Sequence, residues 1–173
     1  MRCWTSLNSL PVPTISFDAL PEDARVWVYA ADRTLAPDEV LTAQQYLAAF
    51  VADWTSHGDS LRAAAAVFDN RFVTLGLDLH HAGASGCSID KSVRAIQALE
   101  SALNCSLTNR LFVWVEQAGT WEKWTLGQVK KSWSSGEWPA GTTLADTSAQ
   151  TKGAWMRSIR ALPENSWPSR VPA

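Results

Sequence analysis

LRAAAAVFDNRFVTLGLD (Leu61–Asp78) is the stretch that decides how the chain is read. Leu61–Phe68 and Arg71–Asp78 have the composition of two β-strands, and Asp69-Asn70 between them suit a short hairpin turn. Upstream, Ala24–Asp32 (ARVWVYAAD) is a further strand, rich in β-branched and aromatic residues. Pro37, Asp38 and Glu39 then supply a helix start, with a proline fit for the first turn and acids that complement the helix dipole. Val40, Leu47, Phe50, Val51 and Trp54 recur at helical spacing through His57, and Gly58 is a natural stop.

Downstream of the hairpin, Asp90–Leu103 places Val93, Ile96, Leu99 and Leu103 on one helical face, and Asn104 ends the helix. Leu111–Gln117 is a fourth strand. The order β-α-β-β-α-β predicts an α+β fold of the ferredoxin-like kind, a two-layer sandwich. The rest is an extension. Ala118-Gly119 turns the chain into a strand over Thr120–Thr125, and Thr125 caps a short helix carrying Leu126, Val129 and Trp133. Beyond Gly136 the chain is rich in Pro, Ser and Trp, with Thr142–Thr147 extended. This predicts a loose arm over 1–14 without the marks of a secretory signal, then one domain over 15–173. Its core is 24–117, and 118–173 form a Trp-rich C-terminal wrap.

Composition narrows the function classes. The chain has 173 residues, 46% hydrophobic and 18% charged, which suits one compact core. A net charge of −2 gives no strong pull toward nucleic acid or an anionic membrane. No apolar run is long enough to span a bilayer. Cys3, Cys87 and Cys105 form neither an even disulfide framework nor a C-x-x-C metal pair, which fits free thiols in a reducing cytoplasm. Ten tryptophans are the unusual count. Val26 and Val28 alternate with Trp27 and Tyr29, as Val113 and Val115 do with Phe112 and Trp114. This predicts an aliphatic sheet face under the helices and an aromatic face opposite. The wrap or a second copy in a homodimer would cover the aromatic face; stacked RNA bases fit poorly, since Asn70–Leu75 lacks the glycine-aromatic signature of RNA-recognition domains.

One segment asks for chemistry. Gly83-Ala84-Ser85-Gly86-Cys87-Ser88-Ile89-Asp90-Lys91 runs from a loop into the second helix, with Ser88 or Asp90 as its cap. Backbone N–H groups there can hold a small anion, helped by Lys91 or Arg94. The same setting favours a thiolate, so Cys87 is a candidate nucleophile, with His57, His80 or His81 as base. Small residues also let a loop cross a sheet edge closely, with Cys87 as a buried hydrophobe. Asp78 is placed to accept from the loop. Arg71 and Arg110 start strands, where arginines are usually surface residues. No metal or cofactor is expected: His80 and His81 are adjacent and no ligand spacing repeats.

After Ile15 the chain resembles a family of small bacterial proteins of no established activity, often labelled "ABC transporter ATPase". The resemblance rests on Arg25-Val26-Trp27-Val28-Tyr29, Trp54 with His57-Gly58, Leu61 with Ala63, Arg71-Phe72 and Asp78. It rests most of all on Ala84–Asp90 with Ser92-Val93, and near the end on Thr151-Lys152 and Ser166-Trp167. It implies a bacterial cytoplasmic protein and brings no catalytic residues. The label fails on chemistry, because a phosphate-binding G-x-x-x-x-G-K-[ST] loop needs a Gly-Lys dipeptide and this chain has none. The sequence reading is a non-enzymatic module binding a small anion or a protein partner at Gly83–Lys91. Its alternatives are a thiol-dependent enzyme using Cys87, and a homodimer built on the aromatic sheet face.

Overall fold

The computed structural model describes residues 15–56, 59–81 and 83–166. The arm over 1–14, Cys3, His57 and Gly58 lie outside them. In chain order the elements are β1 (Arg25–Ala30), α1 (Pro37–Ala52), β2 (Thr55–Ser56), β3 (Asp59–Ser60), β4 (Ala63–Phe68) and β5 (Phe72–Leu77), then α2 (Gly86–Leu103), β6 (Phe112–Gln117), β7 (Thr120–Thr125), α3 (Leu126–Ser135), β8 (Thr143–Ala145) and α4 (Lys152–Ser158). The protein is therefore mixed α+β, with small antiparallel sheets.

The β4–β5 hairpin forms as its composition requires. Asp69 and Asn70 both take positive φ, 51° and 50°, and Arg71 N–H closes the turn on Phe68 O at 2.9 Å. Such a conformation costs Asp and Asn less than other side chains. β5 is central, flanked antiparallel by β1 and β4 in the order β1-β5-β4. Ala118 and Gly119 turn β6 into β7 in the same way, with φ of 48° and 78°.

The expected four-stranded sheet is not the arrangement seen. β6 pairs with β7 and β8 in a second antiparallel sheet, and not with β1. The outer edge of β1 is occupied instead by the chain entering α4: Val26 N–H donates to Gln150 O at 3.0 Å, and Lys152 N–H to Ala24 O at 2.9 Å. With that edge taken, β6 lies in another layer.

The predicted faces are also corrected. Val26 and Val28 do not face the helices; they pack with Phe72, Trp114, Trp155 and Ile159 between the two sheets. Tyr29 packs instead under α1 and α2 with Leu47, Leu75, Ile96 and Leu99, and Trp27 lies against the same cluster. The aromatics of β1 and β6 thus share no face, and an aromatic sheet surface open to a second copy does not form. Phe72 is the joint between the sheets, with ring centroids 5.1 Å from Trp121 and 5.5 Å from Trp155. Val113, Val115, Val129 and Leu144 make a third cluster under α3. Beyond Gln117 the chain supplies β7 and β8, which flank β6 in the second sheet.

Arg71 departs from the surface role usual at a strand start. It is 4% exposed, its guanidinium lies 4.2 Å from the Trp114 ring centroid, and it donates to Ala31 O and Thr34 Oγ1. It works as an interior strut, and its burial lowers the guanidinium pKa.

Candidate functional site

The glycine-rich segment enters α2 four residues earlier than Asp90. Ser85 is the N-cap: its Oγ accepts from Ser88 N–H at 3.2 Å, while Ser85 N–H donates back to Ser88 Oγ at 2.9 Å. This reciprocal box satisfies two donors that the sequence reading had left for an anion. Neither Ser88 nor Asp90 is the cap. Ser88 is buried at 1% exposure, so its hydroxyl serves the helix start. Gly83, Gly86, Cys87, Asp90, Lys91 and Arg94 are exposed; Ala84 and Ser85 are half-buried, with Ala84 packed against the core under the helices.

Trp54 fixes this start against the end of α1. The helix stops at Ala52 rather than running to His57, with Asp53 as C-cap. Trp54, just beyond it, is 1% exposed and donates through Nε1 to Ser88 O at 2.9 Å. Its ring lies 5.1 Å from Phe50 and 6.0 Å from Trp27. A groove of about 470 Å³ runs between the helices. Tyr46, Ala49, Phe50, Asp53 and Trp54 form one side, and Lys91, Arg94 and Ala95 the other. Lys91 and Arg94 are one turn apart on α2, so their heads share the groove. Lys91 Nζ donates to Thr55 Oγ1 at 3.4 Å, and neither cation pairs with a carboxylate among the described residues.

The histidines are occupied elsewhere. His80 Nε2 meets Asp23 Oδ2 at 2.8 Å, and that hydrogen bond and charge raise its pKa. His81 Nε2 sits 2.7 Å from Arg62 Nη1; arginine has only donors, so this nitrogen is the acceptor. Buried Asp78 accepts from His80 N–H at 3.0 Å and lies 3.6 Å from Arg62 Nε. It holds the turn before the loop, and among the described residues it takes no hydrogen bond from Gly83–Lys91. No hydrogen bond joins Cys87 to a histidine among the described residues, and His57 lies outside them.

Lys91 and Arg94 are legible in the sequence as candidates and Tyr46 and Asp53 are not; Trp54 is core, as its place in the apolar helical pattern implies, and Phe50 packs against that core. The available signal was the spacing of Tyr46, Phe50 and Trp54, four residues apart each time. Among the described residues no cluster of three or more His, Cys, Asp or Glu side chains could hold a metal, and no helix is long and apolar enough to cross a membrane. No family model, curated protein or solved structure matches the chain.

Proposed function

We propose that the protein is a non-enzymatic module that binds a small anion with a flat apolar body in the groove between α1 and α2, with Gly83–Lys91 as its rim. One observation carries the reading: Lys91 and Arg94, without carboxylate partners among the described residues, share a groove with Tyr46 and Phe50. Two cations against the single carboxylate of Asp53 favour an anion, and the rings favour a planar group. The groove's volume is in the range of small-molecule sites. The proposal places the protein in the bacterial cytoplasm, as the family resemblance implies; ATP hydrolysis is no part of it. It treats β1, α1, β4, β5 and α2 as a ferredoxin-like unit whose fourth strand is diverted into the second sheet.

Titration with phenyl phosphate, followed by tryptophan fluorescence, tests the reading, because that probe carries both a ring and an anion. Phenyl phosphate should bind more tightly than inorganic phosphate. Lys91→Ala or Arg94→Ala should each weaken it about tenfold. Cys87→Ser should leave binding unchanged, which separates this reading from thiol catalysis. Absence of saturable binding by phenyl phosphate sinks it.

A further inference from the structure

The groove between α1 and α2 carries opposite charges at different depths. Trp54, just past the end of α1, bonds Ser88 O at the start of α2, and the groove runs from that contact back along α1 and forward along α2. The two helices are therefore antiparallel beside it. Asp53 lies next to the contact, whereas Arg94 is six residues along α2 from Ser88, about 9 Å at the helical rise. Phe50, four residues back from Trp54, belongs to a level between them, about 6 Å from the contact. Asp53 and Arg94 are both exposed, and among the described residues neither side chain makes a hydrogen bond or an ion pair. They do not pair with each other, although they line the same groove. Opposite charges held apart on either side of an aromatic residue fit a ligand that carries the complementary pair.

We infer that the ligand of this groove is a zwitterion, a flat aromatic body with an anion at one end and a protonated amine at the other. The inference rests on the anion reading above and adds the second charge. Arg94 takes the anion, joined by Lys91 one turn before it, whose ammonium is held among the described residues only at Thr55 Oγ1, 3.4 Å away. Asp53 takes the amine, and Phe50, one turn earlier on α1, supplies an aromatic ring to the same cation. The charge totals agree. Lys91, Arg94 and Asp53 together leave the groove one positive charge in excess. An aryl phosphate carries close to two negative charges near neutral pH, so one ammonium brings it to about −1. The spacing agrees as well, since para substituents set the two charges on opposite sides of the ring.

Isothermal titration calorimetry near neutral pH tests this with phenyl phosphate, 4-(aminomethyl)phenyl phosphate and its 2-(aminomethyl) isomer, on the native chain and on Asp53→Asn. The 4-isomer should bind about fivefold more tightly than phenyl phosphate. The 2-isomer, with its charges on adjacent ring carbons, should show no such gain. Asp53→Asn should abolish the gain of the 4-isomer without weakening phenyl phosphate, because the wall loses a charge of the same sign as the phosphate. An unchanged circular dichroism spectrum shows that the variant is folded. Equal binding of the 4-isomer and phenyl phosphate, a gain shared by the 2-isomer, or a gain that survives Asp53→Asn overturns the inference and leaves the anion reading standing. Saturable binding by none of the three compounds overturns both.

Discussion

The central sheet has two edges of opposite fate. The β1 edge is closed by a segment more than a hundred residues away, where Gln150 O, Lys152 N–H and the Arg25 Nη1 contact to Gln150 Oε1 at 2.8 Å complete the pairing. Lys152 secures this closure: its ammonium donates to Asp18 O at 2.8 Å and to Leu20 O at 2.7 Å. On the β4 edge Leu61 N–H donates to Trp54 O before the regular part, and no strand pairs with Ala63–Phe68 on that side among the described residues. A valine- and alanine-rich strand does not itself say whether its edge is covered. Contacts made by distant residues decide that, and they set which edge is structural and which is available.

Changes on the closed side should unfold the protein, and changes on the open side should not. The largest effect is expected for Trp155→Ala, since this fully buried ring packs on Phe68 and Phe72 behind the closed edge. It should cost about 3–5 kcal/mol in urea denaturation. Lys152→Met keeps the volume but strips one buried and one part-buried carbonyl of their donor, and should cost about 1–3 kcal/mol in the same measurement. Gly76→Ala comes next. A Cβ there would collide with Leu20 Cδ1 and crowd Phe17, the residues that cover β5 from the N-terminal side, at a cost of about 1–3 kcal/mol. Leu41→Glu, beside the open edge, should change stability by no more than about 0.5 kcal/mol. A large loss there would show that the open edge is a structural one.

The smallest effects are electrostatic and sit outside both edges. Glu39 bonds Arg33 at 2.6 Å and the Ala36 N–H at 2.8 Å, which holds its carboxyl at about 2. Its folded pKa is depressed, so its contribution is complete above the ordinary carboxylate pKa and is lost as pH falls through about 2. Glu39→Gln should flatten the acid limb of a Tm–pH profile between these values. His80 has the opposite sign. Asp23 raises its pKa, so its contribution is complete below 6.5 and is lost as pH rises through the raised value. Asp23→Asn should remove that slope.

Local rules made much of this legible. The Asp69-Asn70 turn, the Ala118-Gly119 turn, the Thr125 cap and the Asn104 end of α2 each depend on a few neighbouring residues, and each stands where the sequence puts it. The start of α2 misled because Ser85 and Ser88 cap each other, which displaced Asp90 from that role. Lys91 and Arg94 were legible as cations beside a helix start. The rings opposite them were not, because a groove exists only when two helices meet. The sequence by itself determined β1, β4 to β7, the bodies of α1, α2 and α3, the turns and the cationic wall, since each is fixed by interactions a few residues long, but not β2, β3 or α4. Only the tertiary structure decided that β6 leaves the first sheet, that Val26 and Val28 face the second, and that β4 pairs on one side alone among the described residues. Those outcomes rest on which distant segment wins each hydrogen-bonding edge and apolar face, and a strand's own residues carry no record of that competition.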